Sequence, residues 1–249
     1  MKKILFAMFS MLTVQAMGQG KILYSVEWMT PKAGKADLME SKWKAHLAKF
    51  HGKDNAREVL EVMSGKHTGQ YLLVEGPLSY ADLDMERANA KAHTDDYTTN
   101  VLPTQEDVDP GTFYYRLADT LSYNGKSDAE KMVTTVYHLK SGKLNDLTAE
   151  IKRAVNVNTI IKSPASYNTY IQIWGGSAPE VVVVTHLKDG FRQLDNSIMM
   201  PMNAAFKDAY IKEYGQEMWD RRLKLLPEIT DSYETYISKY RKDMSTKMN

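Results

Sequence analysis

The sequence YSVEWM at positions 24–29 is followed by a turn containing Pro31 and Gly34 and then by KADLMESKWKAHLAKF at positions 35–50. Valine, tyrosine and tryptophan favour an extended, pleated backbone, whereas proline and glycine commonly end a strand. After the turn, the apolar residues recur at the spacing of a helix with one apolar face. They are Met39, Trp43, Leu47 and Phe50. The stretch therefore predicts a strand, a turn and a helix whose Trp43 faces the sheet.

The next 70 or so positions continue this plan. Strands are predicted at 57–63 and 70–75, joined by a glycine-containing turn. Gly76-Pro77 is expected to stop the second of these strands, and Ser79 is expected to cap a following helix. A tyrosine-rich strand at 112–122 then completes the order strand, helix, strand, strand, helix, strand.

The same order of elements repeats in the second half of the chain. Strands are predicted at 131–140, 166–174, 180–187 and 230–240, and helices at 143–157 and from 191 onward. The turn Gly34-Lys35 has an echo in Gly142-Lys143, and Gly215 is expected to break the last helical segment in two. The sequence therefore indicates an internal duplication.

The duplication gives a domain division and a fold class. We predict a signal peptide at 1–18, a first ferredoxin-like repeat at 19–123, a linker at 124–130 and a second repeat at 131–249. Each repeat is expected to be a four-stranded antiparallel sheet with helices on one face. The other face of each sheet is bare, and the two bare faces can bury each other. The predicted fold class is α+β.

This order of elements, present twice, resembles the ferredoxin-like dimeric α/β-barrel superfamily over residues 22–240. The superfamily includes antibiotic-biosynthesis-type monooxygenases, NIPSNAP-like domains and chlorite dismutase relatives. The resemblance implies a pseudo-dimeric barrel built within one chain. Chlorite dismutase relatives hold haem through a helix histidine with a distal arginine, and no positions of this sequence match that pair, so no functional residue is carried over. Fold alone does not fix function in such a superfamily.

The first 18 residues have the pattern of a targeting segment. Lys2 and Lys3 precede a short apolar run at 4–14, and small residues follow at 16–18. Such a run is too short to span a bilayer readily and is typical of a cleaved signal peptide. We therefore expect an exported protein, periplasmic or secreted, with no membrane contact after cleavage. The alternative is a membrane-anchoring helix.

The composition excludes several classes of site and partner. The chain contains no cysteine, which excludes disulfides, thiolate metal sites and a cysteine nucleophile. Its formal net charge is +1, and removal of Lys2 and Lys3 with the leader changes this to −1. A nucleic-acid-binding protein normally has a basic surface, so no nucleic-acid partner is expected. Because both sheets come from one chain, we expect a monomer or a weak homodimer.

His46 and Glu27 are the candidates for acid–base catalysis. His46 follows Trp43 by about one turn of the first helix. It either faces the sheet as a base or is a partly buried histidine with one hydrogen-bond partner. Glu27 alternates with Trp28 on the first strand, so it is either a buried carboxylate in the barrel or a residue that reaches water. Arg116 of the fourth strand could pair with Glu27 or with an anionic ligand.

The histidine spacing does not indicate a metal site. His46 and His51 are five residues apart and would not share one helix face. The chain has six histidines, and none shows a spacing such as His-x-x-x-His. We therefore predict no metal site and no cofactor.

Aromatic residues on the predicted sheet and helix faces indicate a pocket for a small, partly apolar molecule. They are Trp28, Trp43, Tyr71, Tyr115 and Trp174. The leading hypothesis is a non-enzymatic, exported barrel that binds such a ligand. One alternative is a cofactor-independent monooxygenase or isomerase that uses His46 or Glu27 to remove a proton. Another is a scaffold domain that binds no small molecule.

Overall fold

A computed structural model gives the fold of the chain. It describes residues 20–86, 89–107, 111–125, 128–176, 179–195 and 204–246, except for the side chains of Asp54 and Asp195. The predicted signal peptide at 1–18 lies outside the described residues.

The first half follows the predicted order of elements. Its four strands are β1 (Leu23–Met29), β2 (Arg57–Val62), β3 (Tyr71–Leu78) and β4 (Phe113–Leu117). Helix α1 (Ala36–Phe50) joins β1 to β2, and the short helices α2 (Tyr80–Leu83) and α3 (Ala90–Asp96) lie between β3 and β4. Ser79 caps α2 as predicted, because its Oγ accepts a hydrogen bond from the Asp82 amide at 3.2 Å.

The second half repeats this order with longer helices. Its strands are β5 (Lys131–Leu139), β6 (Tyr167–Trp174), β7 (Glu180–His186) and β8 (Thr230–Tyr240). Its helices are α4 (Leu144–Ile160), α5 (Arg192–Asp195), α6 (Ala204–Tyr214) and α7 (Gln216–Ile229). Gly215 separates α6 from α7, as the sequence predicts, and its φ of 86° is a conformation that favours glycine.

In the described part of the chain, eight strands form one closed antiparallel barrel in the order β1-β3-β2-β8-β5-β7-β6-β4. Within each half the order is that of a ferredoxin-like sheet. The halves join at two seams, where β2 pairs with β8 and β4 pairs with β6. The predicted α+β fold, a pseudo-dimeric barrel within one chain, is confirmed. Closure leaves no free sheet edge in the barrel.

Strand β3 differs from its prediction, because it does not stop at Gly76-Pro77. It continues to Leu78, which lies opposite Leu23 of β1. A side chain at Gly76 would meet the Tyr24 ring, since a Cβ built there lies 2.5 Å from a ring carbon. The glycine therefore allows Tyr24 to pack against the backbone of β3, rather than ending the strand.

The space between α1 and the sheet of the first half is filled by a packed core. Trp43 is 1% exposed, and it packs with Met39 and Leu47 of α1 against Met29 and Val59 of the strands. The sequence prediction that Trp43 faces the sheet is therefore confirmed. A matching core in the second half lies between its helices and the sheet. It includes Leu139, Leu147, Val181, Leu225 and Ile229.

The residues that follow β8 pack against the first half. The Trp43 indole N–H donates to the carbonyl of Met244 at 2.8 Å, and Ser245 Oγ accepts from the Val59 amide at 2.9 Å. Arg241 reaches Glu40 of α1, with Nη2 2.6 Å from Oε2. The end of the second half thus completes the core of the first half, so the repeats are not independent units. Among the described helices, none is long and apolar enough to cross a membrane.

Candidate functional site

A cavity of about 810 Å³ lies inside the barrel and is lined by inward-facing residues of all eight strands. Its apolar wall comes from valines on opposite sides of the barrel, together with leucines and Tyr236. The valines are Val26, Val74, Val136 and Val182. Cavities of this size and character are typical of small-molecule sites.

One part of the cavity wall, here called the Glu58 site, consists of Glu58, Tyr24 and Tyr170. The two tyrosine rings meet edge to face with centroids 5.2 Å apart. The Glu58 side chain is exposed to the cavity, and within the described residues it has neither a hydrogen bond nor an ion pair. The surrounding protein nevertheless raises the pKa of Glu58 above its ordinary value through desolvation.

The carboxylate of Glu58 contributes to the raised pKa values of Tyr24 and Tyr170. Desolvation is the main cause that raises the pKa of Tyr24, and the charge of Glu58 adds to it. The pKa of Tyr170 is also raised, first by desolvation and then by Tyr24 and Glu58. Both hydroxyls therefore stay protonated at ordinary pH and can donate to a ligand oxygen or to Glu58 itself.

A second polar group, here called the His138 network, consists of His138, Glu180, Glu234 and Tyr115 of the cavity wall together with Lys66, which contacts Glu234. His138 Nδ1 lies 2.9 Å from Glu180, and Nε2 lies 3.1 Å from Glu234. Tyr115 donates its hydroxyl to Glu180 at 3.0 Å, and Lys66 Nζ lies 3.0 Å from Glu234. Both ring nitrogens of His138 therefore face carboxylate oxygens.

Two of the six predicted ligand-binding residues line the cavity, Trp28 and Tyr115. The Trp28 ring stacks on His67 with centroids 4.2 Å apart. Trp43 and Tyr71 lie on the other face of the sheet, in the core beneath α1. The Tyr71 hydroxyl donates to Glu40 of α1 at 2.7 Å.

The remaining predicted residues lie away from the cavity. Glu27 is on the outer face of β1, where Thr112 donates to it at 3.3 Å. Arg116 is exposed to solvent. Trp174 is 50% exposed and contacts the rings of Tyr80 and Tyr114. The suggested pairing of Arg116 with Glu27 does not occur among the ion pairs of the described residues.

His46 is also outside the cavity. It lies on the buried face of α1, is 1% exposed, and its Nδ1 is 2.9 Å from Asp96 Oδ2. The structure therefore brings neither of the two predicted catalytic residues, His46 and Glu27, to the barrel interior.

Sequence reasoning missed Glu58, His138, Tyr24 and Tyr170 as a set. A usable signal was present, because alternation along β2 places Glu58 on the same face as Leu60, and alternation along β5 places His138 on the same face as Val136. The missing information was which of the two faces of each strand is the inner one.

No known protein-family model matches the chain, and no curated protein matches it. Solved structures do match in fold. A proposed monooxygenase from Fusobacterium nucleatum has a TM-score of 0.55 at 13% identity, with 88% of this chain and 92% of that chain covered. An anthrone oxidase-like protein has a TM-score of 0.55 at 11% identity, with 89% and 92% covered.

A chlorite dismutase from Candidatus Nitrospira defluvii is similar over 90% of this chain and 92% of that chain, with a TM-score of 0.51 at 7% identity. The haem site implied by that resemblance needs a helix histidine and an arginine. The described cavity lining contains no arginine, and its three histidines, His67, His138 and His186, lie on strands or on a hairpin turn. The described lining of the barrel cavity therefore does not supply that pair.

These similarities are at low identity and concern the fold. With the closed barrel, the two four-stranded halves and the helices outside them, they lead to one conclusion: the chain has the fold of the dimeric α/β-barrel superfamily, with both halves in a single polypeptide.

Proposed function

We propose that this protein binds a small, partly apolar molecule inside the barrel and that Glu58 removes a proton from it. The observation that carries the proposal is a carboxylate that faces an 810 Å³ cavity without a partner among the described residues. Desolvation raises the pKa of this carboxyl group, as a general base requires.

Glu58 is a better candidate for the base than His138. Both ring nitrogens of His138 already face carboxylates, at 2.9 Å and 3.1 Å. Lys66 places a positive charge beside Glu234. The polar groups of this network already contact one another, and a proton transfer with a ligand would break these contacts. Glu58 has no such contact to lose.

The chemistry of the lining indicates the class of ligand. Aromatic rings of Tyr24, Trp28 and Tyr170 border the cavity beside the aliphatic residues of its middle. Flat aromatic or polyketide-like molecules stack well on such rings. The tyrosine hydroxyls can donate to an oxygen of the ligand. A molecule of this kind with an acidic C–H or O–H group next to that oxygen would suit both the wall and the base.

A monooxygenation, the reaction class named for two of the structural neighbours, can be written with balanced atoms and electrons without a cofactor. Glu58 takes a proton from a CH₂ group made acidic by conjugation with a carbonyl, as in anthrone, and the resulting carbanion transfers electrons to O₂ and forms a C–O bond with it. One oxygen atom becomes the new carbonyl of the product, and the other leaves as water. The CH₂ carbon is oxidised by four electrons and O₂ is reduced by four, so no further reductant takes part. Both hydrogens of the CH₂ group leave in the water, including the proton that Glu58 takes up and then returns. The similarity to an anthrone oxidase-like protein supports anthrone as the first probe.

Oxygen consumption by the purified chain, measured with an electrode in the presence of anthrone, tests this proposal. Wild type is expected to consume one O₂ per anthrone. Glu58→Gln should still bind anthrone in calorimetry but should turn over about 10²–10⁴-fold more slowly, as expected for loss of a general base. Glu61→Gln, on the same strand but beside Arg241 on the outer face, is the matched control. Equal turnover by wild type and Glu58→Gln would show that Glu58 is not the base.

A second candidate is a carrier that binds the ligand without reaction, and the largely apolar wall of the cavity favours it. The same experiment separates the two. Saturable binding of anthrone or a related phenol with no oxygen consumption would support the carrier. If no compound in a panel of this kind binds or causes oxygen consumption, both candidate functions are contradicted.

We also propose that the chain is exported and that its leader is removed. The proposal rests on the positive and apolar pattern of residues 1–18. N-terminal sequencing of the protein from fractionated cells tests it. A mature chain beginning near Gln19 outside the cytoplasm is expected, whereas an intact Met1 in the soluble cytoplasmic fraction would refute it.

A further inference from the structure

Three histidines converge outside the barrel, between α1 and α3. His46 is in α1, His51 directly follows α1, and His93 is in α3. His46 Nε2 lies 3.2 Å from His93 Nε2, which in turn lies 3.1 Å from His51 Nε2. His46 and His51 are buried and His93 is half-buried. Nothing in the proposed chemistry of the cavity uses this cluster.

The Nδ1 atoms of His46 and His51 each form a hydrogen bond with an oxygen atom. His51 Nδ1 lies 3.1 Å from the carbonyl oxygen of Asn55, and His46 Nδ1 lies 2.9 Å from Asp96 Oδ2. A carbonyl and an ionised carboxylate can only accept hydrogen bonds, so each Nδ1 carries the hydrogen. In the neutral imidazole, the Nε2 of both His46 and His51 then presents a lone pair to the centre of the cluster.

Hydrogen bonds among the rings cannot satisfy this arrangement. His93 Nε2 lies close to both of the other Nε2 atoms and can aim one N–H at one of them. The Nε2 lone pair of the remaining histidine, His46 or His51, would then face His93 Nε2 at close range without a hydrogen between them. A cation at the centre would satisfy all of them, because each Nε2 lone pair would point at positive charge.

We propose that His46, His51 and His93 bind one divalent transition-metal ion, with Zn²⁺ as the preferred ion. Zn–N bonds of 2.0–2.1 Å place neighbouring ligand atoms of a tetrahedral site about 3.3 Å apart, close to the His46–His93 and His93–His51 distances of this cluster. All three ligand atoms lie within 4.8 Å of one another. Imidazole nitrogen suits Zn²⁺, Ni²⁺ and Cu²⁺ and does not suit Mg²⁺ or Ca²⁺. Three protein ligands leave a fourth position for water or another small ligand.

The surroundings match those of a metal site. A carboxylate behind one ligating histidine and a backbone carbonyl behind another fix the tautomer and the orientation of the rings. Asp96 and the Asn55 carbonyl occupy these two positions. Rings of Trp43, Phe50 and Tyr97 border the histidines. The ion would add a link between α1 and α3, which Asp96 already joins through His46 and Lys49.

Spacing along the sequence conceals this site. Helix α1 ends at Phe50, and His51 has extended backbone angles of φ −115° and ψ 105°. The chain therefore leaves the helix and brings His51 back beside His46, although the two would lie on different faces of a continuous helix. His93 comes from a distant segment of the chain.

Metal binding by the full chain, stripped with EDTA and then titrated with Zn²⁺ in a calorimeter, tests the proposal. We expect one ion per chain with submicromolar affinity, a higher melting temperature with Zn²⁺ but not with Mg²⁺, and visible absorption bands of low-coordinate Co²⁺ when Co²⁺ replaces it. Absence of saturable Zn²⁺ binding in the micromolar range would overturn the proposal.

Variants locate the ion. His93→Ala, and His93→Gln in case the smaller side chain disturbs folding, should weaken Zn²⁺ binding by at least a hundredfold while circular dichroism shows a folded protein. His67→Ala, a histidine outside the cluster, should bind as wild type does. Wild-type affinity in both folded His93 variants, or loss of binding in His67→Ala alone, would show that the ion binds elsewhere.

Asp96 acts in this site as a positioning residue. Asp96→Asn keeps the size of the side chain and should lower the Zn²⁺ affinity about 10–100-fold, with the Co²⁺ spectrum altered but present. Lys49→Ala removes the neighbouring partner of Asp96, whose Nζ lies 3.0 Å from Oδ1, and is the matched control with near wild-type affinity. An Asp96→Asn protein with unchanged affinity and spectrum would remove Asp96 from the site.

Discussion

Arg57 and Glu58 are neighbours on β2, and they lie in opposite environments. Arg57 points outward beneath the helices, where its Nη1 is 2.8 Å from Glu75 Oε2 and both residues are buried. Glu58 points inward and faces the cavity without a partner among the described residues. Two adjacent residues of one strand therefore differ: Arg57 is paired in a packed core, and Glu58 faces the cavity without a partner among the described residues.

The difference follows from what covers each face of the sheet. The outer face is covered by α1, whose side chains fill the space, and by the end of the chain. The inner face is opposed only by the far wall of the barrel. Side chains from opposite walls do not fill the space between them, so the inner face leaves room for a small molecule, whereas the packed space between α1 and the outer face does not.

The largest expected effect is at Trp43 on the outer face. Trp43→Ala should lower the free energy of unfolding by about 3–5 kcal/mol, because it leaves a cavity in a packed core. It also removes the donor to the buried Met244 carbonyl. Urea unfolding measures the loss. Trp28→Ala on the inner face borders an existing cavity, so it should cost about 1.5–3 kcal/mol, the transfer contribution alone.

Lys44→Ala is the control for the position of Trp43 on α1. Lys44 is on the solvent side of the helix and pairs with Asp243 at 2.6 Å, with its side chain 39% exposed. Surface ion pairs contribute about 0–1 kcal/mol, so this variant should change stability little. Similar urea midpoints for Trp43→Ala and Lys44→Ala would contradict the packing of α1.

The charge pair under the helices gives the next expected effect. Arg57→Met removes one partner and leaves the Glu75 carboxylate buried, so it should cost about 3 kcal/mol or more in free energy of unfolding. Replacing both charges, as Arg57→Met with Glu75→Leu, should recover much of that loss. If the double variant is as unstable as the single one, the loss comes from packing rather than from removal of the Arg57 charge beside Glu75.

Glu58→Gln should show a smaller effect that depends on pH. Desolvation raises the pKa of Glu58 in the folded protein above that in the unfolded chain. The unfolded state therefore ionises first, and the stability of the wild type falls as the pH rises through the folded pKa. Glu58→Gln lacks this loss, so its advantage over wild type should be near zero in acid, grow between the unfolded and the folded pKa of Glu58, and stay constant at higher pH. Urea unfolding at a series of pH values measures it, and a difference that does not vary with pH would contradict the desolvation of Glu58.

The folded unit is expected to be a single chain. Both halves of the barrel come from one chain and close it at two seams. Light scattering at micromolar concentration should give a monomer or a weakly associating dimer. A dimer that persists at the lowest measurable concentration would show that closure of the barrel is not sufficient for the folded unit.

Much of the fold could be predicted from local sequence. The apolar spacing of α1, the break at Gly215 and the repeated order of elements appear in the structure as predicted. These features are local, because helix periodicity and turn residues depend on positions a few residues apart. Two repeats of one pattern then sufficed to indicate the barrel.

The site required the tertiary structure. A strand has two faces, and its alternation does not tell which one is inside a barrel, so Trp43 and Tyr71 were grouped with Trp28 and Tyr115 although they lie on opposite sides of the sheet. The three histidines meet because α1 ends at Phe50 and α3 packs beside it. The sequence by itself determined the elements and their order, since those follow from short-range periodicity. Only the closure of the barrel and the packing of the helices decided which side chains meet, because those contacts join residues far apart in the chain.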